Sequence, residues 1–285
     1  MPFLGKGKNN NERRQFTGDP EDYRLSLVEH LEELRDRIIN SIVIIVVTWT
    51  AGWFLVMPLF GYLNEMAVKA IKPVLPKGAE YKEVFHTAGA AFLLKFKLSF
   101  FIGLIIAFPL ITLQIWWFIM PALKVKEQQV VRKIAPFTVV LFAMGVGFAW
   151  VVLPSAMRWF ASYIEEFPGT SLYQEAGSMV FLILKILAAF GVAFQLPLVV
   201  YILGALELLS AETLLKHWRQ AATAIFVIAM IVTPSQDPLT MLMMAIPLVI
   251  LFMISVYVVK FTQARKRKAR LLNPEDDETR SNPFE

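Results

Sequence analysis

The sequence contains no cysteine, which excludes a disulfide framework and any thiolate metal site. Its three histidines, His30, His86 and His217, are scattered and each sits near a polar boundary, so no histidine metal centre is expected. No H-E-x-x-H, G-x-S-x-G or Walker phosphate loop occurs, which leaves no enzyme signature. No Asp or Glu falls in the middle of a long apolar run. A self-sufficient proton-coupled carrier needs such a buried ionisable group, so this absence speaks against one. No internal repeat of the transporter kind is found. The expectation is a chain that is not an enzyme and uses no cofactor or metal.

What the sequence has in abundance is apolar surface. Of its 285 residues 56% are hydrophobic, and the mean hydropathy is +0.56. A soluble domain sits nearer about 45–50% apolar, so lipid is the solvent for much of this chain. Six apolar runs stand out, at about 38–59, 90–118, 134–153, 178–203, 221–232 and 239–259. The expected fold class is all-α: six membrane-spanning helices, kinked at prolines such as Pro109 and forming a concave bundle. The fifth run is short against a hydrocarbon core of about 30 Å, which points to locally thinned membrane or a partner helix.

The polar segments complete the plan. Residues 1–25 read as a disordered tail, 26–260 as the membrane domain, and 261–285 as a second disordered tail. Nearly forty polar residues precede the first apolar run and no small-residue cleavage site follows it, so no cleavable signal peptide is expected. The segments 61–89 and 154–177 read as long outer connections, the first carrying short surface helices, and 123–133 as a polar loop. Twenty Lys and Arg residues lie on the side that holds both termini, and five on the other (Lys69, Lys72, Lys77, Lys82 and Arg158). The positive-inside rule then puts both termini in the cytoplasm and makes the net charge of +5 a matter of topology, not of nucleic-acid binding.

The most informative stretch is Ser26 to Arg37, SLVEHLEELRDR, the last polar segment before the first apolar run. Leu27, Leu31, Leu34 and Ile38 recur at helical spacing, and Ser26 with Glu29 fits a capping box. A charged helical turn therefore sits at the water–lipid boundary. Two readings compete for Glu33. It pairs with Arg37 at i,i+4 on a solvated face, or it receives a guanidinium from a ligand, as a carboxylate held at a membrane surface does well. Glu127, in the polar segment after the second run, offers a second carboxylate on the same side, with Lys124 or Lys126 as its plain partner.

HLEELRDRI, FKLSFFIGLIIAFPLITLQIWWFIMPALKVKE (Phe96 to Glu127), FGVAFQLPL (Phe190 to Leu198) and TPSQDPLTMLMMAIPL (Thr233 to Leu248) occur in this order on the expected spans. Together they closely resemble the TatC family of twin-arginine translocase subunits, over nearly all of residues 26–260. The resemblance implies a cytoplasmic receptor for twin-arginine signal peptides of folded cargo proteins. It also implies the core of a machine, driven by the proton-motive force, in the inner (cytoplasmic) cell membrane. The implied partners are single-span TatA- and TatB-type subunits, other copies of the chain, and the bilayer. By motif, the signal-peptide site would comprise Leu31, Glu33, Arg35, Phe118, Pro121, Leu123 and Glu127. Pro73 matches a functional proline of the first outer connection more loosely.

Two departures from the family pattern stand out. Gln195 occupies a position where many members have Glu, which keeps hydrogen bonding and loses charge; an interhelical hydrogen bond is the plain alternative there. Thr240 and Met241 stand where a Gln usually follows the turn at Pro238, so polar docking at that end falls to Thr233 and Asp237, and Asp237 also suits a helix cap. The rival reading is a six-span small-solute transporter, which would need a polar midplane site and has only Gln195 and Lys185 to build one.

Overall fold

The computed structural model describes residues 27–76, 80–123, 125–167, 170–232 and 238–272. Thr233, Asp237 and the segment 1–25 lie outside the described residues. Among the described residues the helices are α1 (Leu27–Ile71), α2 (Ala90–Ile119), α3 (Val125–Ile134), α4 (Phe137–Ser162), α5 (Ser178–Ala193), α6 (Leu196–Ala205), α7 (Ala211–Lys216), α8 (Trp218–Val232) and α9 (Pro238–Leu272). Two four-residue strands, β1 (Tyr81–Val84) and β2 (Leu172–Glu175), pair in parallel. Five helical runs are long and apolar enough to cross a membrane: Val28–Val74, Ala90–Ala122, Glu127–Ser162, Ser178–Ala205 and Met241–Arg265. The 15-residue α8 falls short of that length, at roughly 22 Å.

The helices outrun the apolar segments, and this corrects several expectations. Among the described residues the segment after Gly61 carries no separate surface α-helix. Instead α1 continues to Ile71, because Leu63, Ala67, Ala70 and Ile71 keep a buried helical stripe while Glu65 and Lys69 pair at 2.6 Å on the wet face. A short 3-10 turn at Lys72–Val74 then ends it. Likewise α4 runs through Pro154 to Ser162, with Ala156, Met157 and Ala161 buried. Most of the expected polar loop is helical, as α3 from Val125 onward, because Val131 and the following Ala135 bury in one cluster with Trp116, Leu198 and Ile202. The boundary at residue 260 also moves, since α9 reaches Leu272. Gln263 holds that extension. Its Nε2 donates to the carbonyls of Gly204 (3.0 Å) and Leu209 (2.9 Å), and its Oε1 accepts from the Ala211 amide (3.0 Å). Beyond it, alanine and long basic side chains favour continued helix.

The outer connections meet in the sheet. β1 and β2 are drawn from segments some ninety residues apart, with Tyr81 opposite Leu172 and Val84 opposite Glu175. The Tyr81 hydroxyl donates to Glu83 Oε1 at 2.9 Å. Partial burial, then that hydrogen bond and the charge of Glu83, push the phenol above its ordinary range. Asn64 of α1 reaches the other oxygen of Glu83 at 3.4 Å and ties the sheet to the helix end. Gly177 then turns the chain into α5 with φ +78°, a conformation that costs glycine nothing.

The longest helix contact is between α1 and α2, and small residues allow it. Gly52 lies against the Ser99 carbonyl. A Cβ on Gly103 would stand 2.5 Å from the Trp49 Cα and 2.7 Å from its nitrogen. Close backbone approach of this kind is how helices gain packing energy in lipid. The buried hydroxyls at the crossing bond their own helix, Thr48 to the Ile44 carbonyl (2.8 Å) and Ser99 to the Lys95 carbonyl (2.6 Å), so no donor is left to hydrocarbon. Trp49 meets Phe96 and Phe100 edge-on at 5.0 and 5.5 Å, and the Lys95 ammonium lies 4.4 Å above the Trp53 ring. Gly103→Ala is expected to destabilise the protein by about 1–3 kcal/mol through overpacking. Gly147→Ala, whose new methyl meets nothing within 4 Å, is expected to be neutral or to stabilise by up to about 1 kcal/mol. Reversible unfolding of the two variants in mixed detergent micelles checks this contrast.

Candidate functional site

The first turns of α1 present two faces. His30, Glu33, Leu34 and Arg37, at i, i+3, i+4 and i+7, are half-buried; Leu31, Glu32, Arg35 and Asp36 are exposed. The inner face packs against the end of α2. The His30 ring stacks on Phe118, centroids 4.5 Å apart and planes 14° from parallel. Arg37 donates from one terminal nitrogen to Gln114 Oε1 (3.2 Å) and from the other to Glu33 Oε1 (3.2 Å). Its guanidinium carbon lies 5.8 Å from the Trp117 ring centroid, while its Nε is buried without a partner among the described residues. Glu33 therefore does pair with Arg37, through one carboxylate oxygen, and Arg37 in turn ties α1 to α2.

After α2 a 3-10 turn at Met120–Ala122 holds Pro121. Leu123 follows in extended conformation and packs with Trp116, and Gln128 Nε2 donates to its carbonyl at 3.0 Å. That bond folds the start of α3 back onto the turn. Glu127 is half-buried in the first turn of α3, where a carboxylate complements the helix dipole. The pairing of α1 with α2 at His30–Phe118 and the short turn into α3 thus place Glu33, Phe118, Pro121, Leu123 and Glu127 at one end of the bundle. Leu31, 65% exposed, and Arg35, which bonds only its neighbour Asp36 at 3.1 Å among the described residues, stand on the outward rim of that end.

The other sequence-predicted positions lie elsewhere. Pro73 is exposed in the 3-10 turn at the far end of α1, about 60 Å of helix from Glu33. Gln195 sits in the break between α5 and α6, 6% exposed, and its Nε2 donates to the Thr138 carbonyl of α4 at 3.0 Å. It links two helices inside the bundle.

The chain as a whole is similar to known proteins. The model of the Sec-independent protein translocase protein (TatC) family matches residues 29–247. The chain belongs to the TatC family. A TatC of Carboxydothermus hydrogenoformans is 33% identical over 86% of this chain and 97% of its own length, and one of Koribacter versatilis is 30% identical over 86% and 89%. Among solved structures, a crystal structure of the twin arginine translocase receptor TatC is similar with a TM-score of 0.69 at 30% identity, covering 82% of this chain and all of its own. Membership makes the chain a membrane component of a protein translocase and not an enzyme. Both clusters described above fall inside the matched region.

Gln114, which joins α2 to Arg37, escaped the sequence reading. Its signal was there: a lone amide in the apolar stretch FPLITLQIWWF, one turn before Phe118. His30 was treated as scattered, although three residues from Glu33 it had to share that face. The Glu33–Arg37 pair has side chains 20% and 30% exposed, so it is partly shielded from water. A double-mutant cycle on Glu33→Ala and Arg37→Ala, read by unfolding in detergent, is expected to give about 1 kcal/mol, the upper end for exposed pairs. Gln114→Ala is expected to cost about 1 kcal/mol through the lost hydrogen bond.

Proposed function

We propose that the chain is the receptor and assembly core of a twin-arginine translocase. It binds the Arg-Arg signal peptides of folded cargo at the α1–α2–α3 end, through Glu33 and Glu127. What supports the reading is two half-buried carboxylates toward one end of the bundle, where the Phe118 ring stacks on His30 and the Trp117 ring lies 5.8 Å from the Arg37 guanidinium carbon. Each carboxylate can accept two parallel N–H bonds from a guanidinium fork. Low local dielectric strengthens such bonds, and aromatic faces add attraction for the cation. Arg37 uses one oxygen of Glu33 in the free protein, and an incoming arginine adds to that pair or replaces it. Phe118, Pro121 and Leu123 shape the wall for the residues after the arginine pair, with Leu31 and Arg35 on its rim.

The wider assignment follows the same reading. α8 and the five longer runs make six crossings, with α8 set in thinned membrane, around a concave body. The twenty basic residues on the α1 N-terminal side put that end and both termini in the cytoplasm, and the membrane is the inner one of a bacterial-type cell. Single-span TatA- and TatB-type subunits and further copies of the chain join it, Thr233 and Asp237 contributing to that docking. Transport runs on the proton-motive force. Gln195 braces α4 against the α5–α6 break, and Pro73 shapes the opposite surface.

Fluorescence anisotropy with labelled signal peptides on the purified protein tests the site. Arg-Arg peptide is expected to bind, and Lys-Lys peptide to bind about tenfold or more weakly because the fork geometry is lost. Glu33→Ala and Glu127→Ala are each expected to weaken the Arg-Arg peptide about ten- to a hundredfold, the size of a lost charged hydrogen bond. Equal binding of both peptides, unchanged in the two variants, would rule out the carboxylate site.

A further inference from the structure

Lys185 is an ammonium inside a membrane-crossing run, and nothing in the receptor function uses it. It lies in Ser178–Ala205, is exposed, and meets no carboxylate among the described residues. Its one aromatic contact is Phe181, whose ring centroid is 4.6 Å from Nζ. Phe181 packs edge-on against Phe101 of α2 at 5.2 Å. A cation so placed in lipid is costly unless it reaches the interface or an anion.

The surroundings supply the first. Lys185 stands at the outer end of a groove of about 440 Å³ between α5, α8 and α9. The groove's outermost residue on α8 is Ile228, and on α9 Met244. Ile228 is four residues from the end of α8 and Met244 six from the start of α9, about 6 and 9 Å of helix. The short α8 thus brings the water–lipid boundary down to within a lysine side chain's reach. Below Lys185 the walls are apolar: Ala189, Val192 and Leu196 on one side, Ile225 and Leu248 on the other. From Lys185 to Leu196 the groove descends about 16 Å. Spread over that length, a volume of about 440 Å³ leaves a mean cross-section of roughly 27 Å², enough for a single hydrocarbon chain and well below that of a helix about 10 Å across.

We infer that this groove is a binding site for an anionic phospholipid, with the phosphodiester on the Lys185 ammonium and one acyl chain along α5–α6. Charge at the rim with a continuous apolar slot beneath it is the pattern of such a lipid. A helix would bring a backbone too wide for the slot, and a free phosphate would leave the apolar wall empty. Occupancy would also seal the edge of α8, whose 15 residues fall short of the bilayer's hydrocarbon thickness.

The test is photolabelling of the full-length protein in phosphatidylcholine nanodiscs with a small fraction of phosphatidylglycerol carrying an acyl-chain diazirine. Adducts are located by peptide mass spectrometry. The expected result is saturable labelling of residues 188–196 and 244–248, unaffected by soluble glycerol phosphate. Lys185→Met is expected to lower it about fivefold, the effect of removing one lysine from an anionic surface, and Lys185→Arg to retain it. Ala189→Trp, which fills the slot and keeps the charge, is expected to lower it as well. Labelling at the lipid-facing Val151, 75% exposed, is expected to stay constant and reports an intact fold. Labelling that never saturates, or is equal in Lys185→Met, or is competed by glycerol phosphate would overturn the site. So would loss of this labelling when partner subunits are present, which would give the groove to a second polypeptide.

Discussion

The close contact of α1 with α2 is the constraint on which the rest depends. In lipid, apolar side chains gain little by leaving solvent, so helices hold together where their backbones come near. Here Gly52 and Gly103 permit that approach, and Thr48 and Ser99 return their hydroxyl protons to their own helices. The crossing fixes two long rods at one point. Their ends then have one relation to each other: His30 falls on Phe118, and Arg37 reaches Gln114 and Glu33. A receptor surface built from side chains on different helices needs such rigid support.

Polar chemistry is confined by the same solvent. Side chains that bond across helices inside the bundle are few. Gln195 is one, and it gives its amide hydrogen to a backbone carbonyl of α4. Charged groups collect at the helix ends, where water pays part of their solvation. The two ends differ in character. One carries carboxylates among arginines and aromatics. The other is closed by a two-stranded sheet tied to α1 through Glu83 and Asn64. That asymmetry suits a protein that receives a ligand on one side of a membrane.

The positions of the apolar runs were legible in the sequence, because hydrocarbon excludes charge for some twenty residues at a time. Their ends were not. Hydropathy stops at the water boundary, while helices such as α1 and α4 continue past it on a buried stripe and a charged face, as Ala67 and Ala70 do beside Glu65 and Lys69. The strands were invisible because each has four residues and its partner lies some ninety positions away. Glu33 and Glu127 could be read as candidates because the motifs that hold them are specific. Gln114 could not, since one amide in a span reads as an incidental polar residue until α1 is seen to lie beside it. Pro73, read as part of the first outer connection, lies in the 3-10 turn at the far end of α1.

The most direct measurement is site-specific photocrosslinking of a folded cargo bearing an Arg-Arg signal peptide. A benzoylphenylalanine probe would replace Leu31, Leu123 or, at the opposite end, the exposed Tyr173. Adducts to the signal peptide from the first two positions and none from the third are the predicted result. Adducts from Tyr173 with none from Leu31 or Leu123 would contradict a receptor site at the α1–α2–α3 end.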